Sequence, residues 1–418
     1  MNGDVQTDRF SNGTQPSSAQ EPKRIFVSTG EVSGDLQGAL LVEALYREAA
    51  QAGICIEVVA TGGERMAKAG AKLLADTSAI GSIGILESLF YVLPSYQIQQ
   101  RVKQFLRQNP PDLTVMIDYL GPNIGFGSFM RQQFPQVPRV YYIAPQEWVW
   151  SISSANTRQI LRITDRLLAI FPAEATYYEK WGANVTWVGH PLVDRFQSAP
   201  TRADAREALG ISNDQTMIAL IPASRKQELK YILPIMFQAA QQLQAQLPQA
   251  HFYIPLSLEV YRSAIEAAIQ QFGLRATLIA DQTQTVLAAA DLALTKSGTV
   301  NLELALLNVP QVVMYRLNPV TGWIAKHLLK YAAPFISPAN LVLMKPVVPE
   351  LLQHEATSER LVSEALNILL NPDRQQQIFA DYEQTRQKLG QVGVCDRAAK
   401  EILSLLPQES PTNYNKLT

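Results

Sequence analysis

The stretch from Arg24 to Leu45 has the pattern of a strand, a turn and a helix. Its apolar residues Ile25 to Val27 are strand-forming types, which is typical of a buried parallel strand. After a turn that begins at Thr29, apolar residues recur at helical spacing. This order places the first N–H groups of a helix at the carboxyl end of a strand, where α/β sheets bind ligands. The stretch therefore predicts the first unit of a doubly wound α/β domain.

The turn itself contains two carboxylates and two glycines. Its candidate site residues are Gly30, Glu31, Ser33, Gly34 and Asp35. We expect the side-chain oxygen of Ser33 or Asp35 to cap the helix. Two acids disfavour a plain phosphate site, so we expect recognition of sugar hydroxyls or acid–base chemistry here. The alternative, a turn that binds nothing, stays open because many doubly wound domains begin in this way.

Length, charge and residue usage limit the class of protein. The 418 residues exceed one typical domain, which predicts two α/β domains. The formal net charge of −1 argues against binding of nucleic acid through a basic surface. Two cysteines without a Cys-x-x-Cys pattern predict buried thiols, and four scattered histidines predict no metal site. We expect no cofactor, and no apolar run reaches the roughly 18 residues of a membrane span.

The order of these patterns along the chain predicts two Rossmann-like domains followed by helices. We assign residues 1–22 to a disordered tail, 23–191 to an N-terminal Rossmann-like domain, 192–365 to a second Rossmann-like domain, 366–406 to helices that pack back on the first domain, and 407–418 to a polar tail. The first tail lacks the apolar core of a signal peptide. Polar residues from 192 to 215 predict a hinge.

Two strand ends in the first half carry candidate acid–base residues. A strand from Asp112 to Tyr119 ends on Asp118, and Asn123 follows in the next predicted helix. A carboxylate at the carboxyl end of a strand is well placed to act as a general base, although it can equally cap the turn. His190 lies in a similar turn after a later strand.

The segment from Ile80 to Leu93 is almost continuously apolar and has Glu87 as its one charge. Such a segment is typical of a core helix, but the lack of a clear polar face also suits an exposed apolar patch. Basic residues from Arg101 to Arg107 follow it. Both interpretations stay open on this pattern alone.

The second half repeats the alternation of strands and helices and carries candidate nucleotide contacts. Arg225 follows a strand and has the fork geometry that suits a pyrophosphate. The turn Ser297-Gly298-Thr299 opens a helix whose first N–H groups are expected to hold a phosphate. Glu303 lies four residues after Thr299 on the same helix face. There its carboxylate can accept hydrogen bonds from ribose hydroxyls.

In this order and over this length, a set of short motifs resembles the lipid-A-disaccharide synthase family of GT-B glycosyltransferases. The resemblance covers residues 24 to 405. The motifs are GEVSGD at residues 30–35, Ile117-Asp118 with Asn123, Pro145 with Trp148 and Trp150, TDRLLAIFP at 164–172, Gly189-His190 with Asp194, Ser224-Arg225 with Glu228, SGT with Glu303, Tyr315-Arg316, Asn340-Leu341 and PELLQ at 349–353.

This resemblance implies an inverting transfer without a metal. The donor is UDP-2,3-diacylglucosamine, the acceptor is 2,3-diacylglucosamine 1-phosphate, and the products are a β-1,6 disaccharide and UDP. Asp118 matches the family's catalytic aspartate, with Glu31 and His190 as the next candidates. The implied donor-binding residues are Arg225, Ser297, Gly298, Thr299, Glu303 and Asn340. The implied acceptor and first-turn residues are Gly30, Ser33, Gly34, Asp35 and Asn123.

The acylated substrates imply a cytoplasmic protein that lies on the inner membrane. The candidate membrane contacts are Leu86, Leu89, Phe90 and Leu93, and a homodimer stays open as an assembly. The chain departs from the family's usual residues at Gly121, Ser151, Ala223 and Met344, which bears on the acceptor more than on the reaction type. Three alternatives stay open: a UDP-N-acetylglucosamine 2-epimerase, another UDP-sugar transferase, and a non-catalytic nucleotide-binding protein.

Overall fold

The structure is a computed structural model, and it describes residues 21–77, 85–149, 154–318 and 334–407. The side chains of Glu31, Val32, Lys226 and residues 85–94 lie outside this description. Nearly all of the two predicted tails also lies outside the described residues.

Within the described residues, two parallel β-sheets carry the fold. The first sheet contains β1 (Lys23–Ser28), β2 (Ile56–Gly62), β3 (Lys72–Asp76), β4 (Leu113–Ile117), β5 (Arg139–Tyr142), β6 (Arg166–Ala169) and β7 (Val185–Trp187). The second contains β8 (Thr216–Ile221), β9 (Ala250–Pro255), β10 (Ala276–Ile279), β11 (Leu292–Lys296), β12 (Gln311–Tyr315) and β13 (Glu350–Leu352).

Helices alternate with these strands. In the first half they are α1 (Glu31–Gln51), α2 (Glu64–Lys68), α3 (Ile85–Gln108), α4 (Leu120–Gln133), α5 (Ser154–Ile163), α6 (Pro172–Lys180) and α7 (Leu192–Phe196). The second half has α8 (Arg202–Ala208), α9 (Lys226–Tyr231), α10 (Leu233–Gln246), α11 (Arg262–Gln271), α12 (Thr283–Ala289), α13 (Val300–Leu306) and α14 (Pro338–Leu341). The chain closes with α15 (Ser358–Leu370), α16 (Pro372–Leu389) and α17 (Val394–Leu403).

Both sheets have the doubly wound strand order, which confirms the predicted fold class. The first sheet runs β3-β2-β1-β4-β5-β6-β7, and the second runs β10-β9-β8-β11-β12-β13. In each, the order reverses between the first strand and the fourth, and ligands of such sheets bind at the carboxyl ends of those two strands. The structure therefore has one switch point between β1 and β4 and another between β8 and β11.

The last helices divide between the two domains. Helix α17 packs on α1, and its residues Val394, Ala398 and Ile402 share a core with Ile25 of β1. Helices α15 and α16 instead pack on the second domain. The prediction that residues 366–406 pack back on the first domain is therefore wrong for α16, because its apolar face completes the second core and its Tyr382 hydroxyl accepts a hydrogen bond from the Gln311 side chain.

The predicted polar hinge contains two short helices, α7 and α8. Helix α8 belongs to the second domain because its Arg206 is 1% exposed and donates to the carbonyl oxygens of Ala289, Ser212 and Gln215. Because a buried arginine counts as polar in a sequence pattern, the predicted hinge extended into this helix. Cys55 is exposed, so the prediction of two buried thiols holds only for Cys395.

The chain's two crossings between the domains run side by side. The first lies between β7 and α8, and the second lies between α16 and α17. The His190 N–H donates to the Leu389 carbonyl oxygen at 2.7 Å. The Asp194 carboxylate accepts the N–H groups of Gly393 and Cys395 at 2.6 and 2.7 Å, so it caps α17.

Candidate active site

Asp118 lies on a strained loop at the first switch point. It and Tyr119 have φ values of 46° and 43°, and Ile143 at the end of the neighbouring strand β5 has a φ of 58°. Consecutive left-handed non-glycine residues are uncommon, and such strain concentrates at functional sites. The Asp118 N–H donates to the Ile143 carbonyl oxygen, and the Asp118 carbonyl oxygen accepts the Tyr141 hydroxyl at 2.7 Å. The backbone is thus held in place while the residue stays exposed.

Asn123 supports this loop from below. Its side chain is fully buried, and its amide nitrogen donates to the carbonyl oxygens of Ile117 and Asp118 at 3.0 and 2.6 Å. Its amide oxygen accepts the Ser28 hydroxyl of β1 at 2.7 Å. Asn123 is therefore buried beneath the Asp118 loop and positions it, and the contact with acceptor expected of Asn123 stays a prediction.

The first turn lies directly beside this loop. A Cβ atom at Gly30 would overlap the ring of Tyr119, so the glycine permits the contact between the two loops. Helix α1 begins at Glu31, with Gly30 as its N-cap and no side-chain capping bond. The prediction that Ser33 or Asp35 caps α1 is therefore wrong, because both residues lie inside the helix. The Glu31 side chain lies outside the described residues.

Asp35 caps a different helix. It is 5% exposed, and its carboxylate accepts the N–H groups of Gly63, Arg65 and Met66 at 2.8, 3.2 and 3.1 Å. These are the groups that open α2. Asp35 lies one turn into α1, and its side chain points at the neighbouring helix α2. A contact of Asp35 with substrate, as predicted, would have to compete with these three hydrogen bonds.

The two remaining first-turn residues differ in accessibility. Ser33 is partly exposed in the first turn of α1. Gly34 is buried, and a Cβ atom there would overlap the hydroxyl oxygen of Thr29. Gly34 is thus required for packing, and among the described side chains of this turn the polar one with access to solvent is Ser33.

His190 ends a row of aromatic rings in the first domain. Its ring centroid is 5.3 Å from that of Phe171, which is 5.6 Å from that of Trp148. The imidazole is 4% exposed, and its Nδ1 accepts the Leu192 N–H at 3.2 Å. Burial lowers the pKa of His190 to about 3, so the ring is neutral near pH 7 and a weak base. This favours Asp118 over His190 as the general base.

Glu174 is a buried acid near the site that the sequence analysis missed. Its carboxylate accepts the N–H groups of Ala144, Ile170 and Phe171 at 3.1, 2.8 and 3.3 Å. Burial raises the pKa of Glu174 to about 8. The residue joins the loops after β5 and β6 and so supports the aromatic row. Its position at the start of a helix, after Pro172, is the signal that would have identified it as a cap.

The second switch point combines two cations with one buried acid. Arg225 precedes α9, and Glu228 in that helix accepts the N–H groups of Ser224 and Arg225 through Oε2. The other carboxylate oxygen of Glu228 lies 3.9 Å from the Arg225 guanidinium and 3.6 Å from the Lys296 ammonium. Lys296, at the end of β11, is 7% exposed. The sequence analysis identified Arg225 and missed Lys296.

The turn Ser297-Gly298-Thr299 uses much of its hydrogen-bonding capacity internally. The Ser297 N–H donates to the Met314 carbonyl oxygen, and the Gly298 N–H donates to the Asn301 side chain at 2.8 Å. Helix α13 begins after Thr299 and has only seven residues. The predicted phosphate contact through these N–H groups would therefore have to replace bonds that already exist.

Glu303 lies on α13 and pairs with Arg195 of α7. The distance between the guanidinium and the carboxylate is 3.4 Å, and the Glu303 side chain is 12% exposed. Burial raises the pKa of Glu303, whereas Arg195 acts to lower it. The sequence analysis missed Arg195 because it lies in the segment interpreted as a hinge.

Asn340 has a structural role in the second domain. It is 1% exposed, and its amide nitrogen donates to the Val348 carbonyl oxygen and to Glu350 at 2.9 Å each. Its amide oxygen accepts the Val348 N–H at 2.9 Å. A direct contact with the donor would have to displace part of this set, so the role expected of Asn340 stays a prediction.

The expected membrane contacts lie outside what the structure describes. Helix α3 begins at Ile85, but the side chains of Leu86, Leu89, Phe90 and Leu93 are among those not described. Both interpretations of this segment, core helix and exposed patch, remain untested. Among the described helices, none is long and apolar enough to cross a membrane.

Two doubly wound sheets, each with its own switch point, define the GT-B class of folds. Solved structures of this class match nearly the whole chain. A UDP complex of MnaA from S. aureus matches with a TM-score of 0.64 and 14% identity over 93% of this chain and 99% of its own. The calicheamicin glycosyltransferase CalG4 matches with a TM-score of 0.57 and 17% identity over 94% and 100%. These likenesses concern the fold.

A family model described as Lipid-A-disaccharide synthetase matches residues 25–404. The lipid-A-disaccharide synthase of Gloeothece citriformis is 57% identical over 91% of this chain and 99% of its own length. The same enzyme of Synechocystis sp. is 54% identical over 91% and 97%. The chain therefore belongs to the lipid-A-disaccharide synthase family and is a glycosyltransferase, as its motifs predicted. The epimerase and the non-catalytic binding protein are not favoured.

Proposed function

We propose that the chain transfers 2,3-diacylglucosamine from UDP-2,3-diacylglucosamine to 2,3-diacylglucosamine 1-phosphate, forming a β-1,6 disaccharide 1-phosphate and UDP. Membership of the family supports the reaction. The observation that carries the assignment of residues is Asp118, an exposed carboxylate on a strained and tightly held loop at a switch point.

In the proposed step, the Asp118 carboxylate takes the proton of the acceptor's 6-hydroxyl. The oxygen then attacks the anomeric carbon of the donor, and the bond from that carbon to the UDP oxygen breaks. One displacement inverts the anomeric centre. A positioned base of this kind contributes a factor of roughly 10²–10⁴ to the rate.

The second domain is the proposed donor site. Arg225 lies at the carboxyl end of β8 and is suited to the diphosphate. Glu303 is proposed to accept a ribose hydroxyl, with Arg195 holding its carboxylate. Two proteins of the same fold support a nucleotide here, because S. aureus MnaA was solved with UDP and the UDP-GlcNAc 2-epimerase of Neisseria meningitidis with UDP-GlcNAc.

The test of the base uses Asp118→Asn, which keeps the shape of the side chain and removes its basicity. Turnover of the two acylated substrates should fall by roughly 10²–10⁴, while UDP affinity by calorimetry stays unchanged. The matched control is Asp281→Asn, since Asp281 is also exposed and left-handed, with a φ of 59°. Near-normal turnover of Asp118→Asn would assign the base to another residue, with Glu31 next.

The proposed place of work is the cytoplasmic surface of the inner membrane. Both substrates carry acyl chains, and burial of an apolar side chain in a bilayer gains about 0.8 kcal/mol per CH₂ group. Leu89→Ser with Phe90→Ser should leave UDP binding intact and weaken flotation with anionic vesicles. A variant that unfolds, or one that floats as well as the wild type, would contradict this surface assignment.

The reaction itself is tested by the dependence of UDP release on the acceptor. Purified protein should release UDP from UDP-2,3-diacylglucosamine only after 2,3-diacylglucosamine 1-phosphate is added. Release without acceptor would indicate a hydrolase. Turnover of unacylated UDP-N-acetylglucosamine to an epimer would support the epimerase instead.

A further inference from the structure

Lys296 is a buried lysine whose charge is only partly compensated. It is 7% exposed, and lysine is rarely so buried without a close partner. Its acidic neighbour Glu228 lies 3.6 Å away, beyond normal hydrogen-bond length. Among the described residues, the Glu228 oxygen on this side has no hydrogen-bond donor. The pair is thus a loose ion pair at the end of β11.

The ammonium of Lys296 points at the glycine turn of the second switch point. A Cβ atom at Gly298 would lie 2.8 Å from the Lys296 nitrogen. Gly298 therefore leaves space for the lysine, and any larger residue would push the ammonium aside. This places the positive charge against the turn that the sequence predicted to hold a phosphate.

The surroundings carry an excess of positive charge. Arg225 lies 3.9 Å from Glu228, and Arg316 lines the same recess as these two residues. Two cations, Arg225 and Lys296, thus lie within 4 Å of one carboxylate, which leaves an excess of one positive charge among these three groups. The other nearby acid, Glu303, is already paired with Arg195. A diphosphate is the ligand class that balances such a cluster.

We propose that Lys296 binds the diphosphate of the sugar nucleotide together with Arg225, and that it stabilises the charge of the departing UDP. The inference rests on the proposed function and adds a residue to it. The N–H groups of Ser297 and Gly298 already have partners, so the ammonium supplies the positive charge that the turn itself lacks. Glu228 holds the ammonium in place until the nucleotide binds.

The chemistry favours a cation at this position. As the bond from the anomeric carbon to the UDP oxygen breaks, its electron pair and negative charge pass to the terminal phosphate. A fixed cation in a site shielded from water stabilises this charge more in the transition state than in the bound substrate. Loss of Lys296 should therefore lower kcat as well as UDP affinity.

The experiment compares wild type, Lys296→Met, Lys296→Arg and Lys400→Met by calorimetry with UDP and with uridine. Lys400 is the matched control, because it also pairs with a buried glutamate, Glu48, far from the site. We expect Lys296→Met to weaken UDP binding by about tenfold or more and to leave uridine binding unchanged. Lys296→Arg should retain most of the affinity, and Lys400→Met all of it.

The outcomes separate this inference from the proposed function. Wild-type protein that fails to bind UDP would overturn the proposed function. Wild-type protein that binds UDP, with Lys296→Met binding it equally well, would overturn the role of Lys296 alone. Parallel losses of UDP and uridine affinity would also overturn it, since they indicate a merely structural lysine. If Lys296→Met does not fold, the double variant with Glu228→Gln removes both charges and is subject to the same comparison.

Discussion

Acid should destabilise the folded chain in part through His190. The imidazole is 4% exposed, stacks on Phe171 and accepts the Leu192 N–H at Nδ1, so the folded state keeps it neutral. Burial lowers its pKa from 6.5 to about 3. Because the folded-state pKa lies below the unfolded value, the stability that His190 contributes is present above pH 6.5 and is lost as the pH falls towards 3.

The magnitude follows from that difference. Each pH unit below 6.5 removes about 1.4 kcal/mol of unfolding free energy, so about 2 kcal/mol is lost between pH 7.5 and pH 5. Glu174 acts in the opposite direction, because burial raises its pKa to about 8 and its contribution is lost as the pH rises. The difference between wild type and a His190 variant therefore isolates the histidine.

The assay is urea unfolding at pH 7.5 and pH 5 of wild type, His190→Asn and His354→Asn. Asparagine keeps an acceptor near the position of Nδ1 but does not titrate. The stability lost by His190→Asn should be about 2 kcal/mol smaller at pH 5 than at pH 7.5. His354 is exposed, so its variant should follow the wild type. Equal pH dependence of wild type and His190→Asn would refute the assignment.

Three further predictions concern residues that position the site. Asn123→Ala removes the support of the Asp118 loop and should lower the unfolding free energy by about 1–3 kcal/mol and reduce kcat, with UDP affinity unchanged by calorimetry. Asp194→Ala uncaps the last helix and should lower the unfolding free energy in urea by about 1–2 kcal/mol. Arg195→Gln should reduce the preference for UDP over 2′-deoxy-UDP by about three- to tenfold, because Glu303 loses the cation that holds it; Arg195→Lys should retain most of the preference.

Periodicity and strand-end positions predicted from the sequence the two doubly wound domains and the carboxyl strand ends that carry Asp118 and Arg225. An apolar run such as Ile25 to Val27 is readily buried as a parallel strand, and it lies inside β1 as predicted. Strand β13 was missed, since it has only three residues and follows a proline. A strand this short does not reveal a period.

The contacts of individual polar side chains were harder to predict from the sequence. Asp35, Asn123 and Asn340 were expected to contact substrate, and in the structure each also satisfies buried backbone groups. A carboxylate or amide can either bind a substrate or satisfy buried backbone groups. Which of these it does depends on the element that lies opposite, which a single sequence does not show. The same ambiguity hid Lys296 and Arg195, whose importance depends on partners distant in the chain.

The paired crossings mean that the second domain is an insertion in the first. The first domain begins at β1 and is completed by α17 at the other end of the described chain. The chain enters the second domain and returns from it through two connections that lie side by side. The hydrogen bond from Gly393 to Asp194 closes the base of this insertion. Any relative movement of the two domains must therefore bend both connections together. Removal of the chain after α16 would therefore expose the apolar face of α1 and damage the domain that carries Asp118.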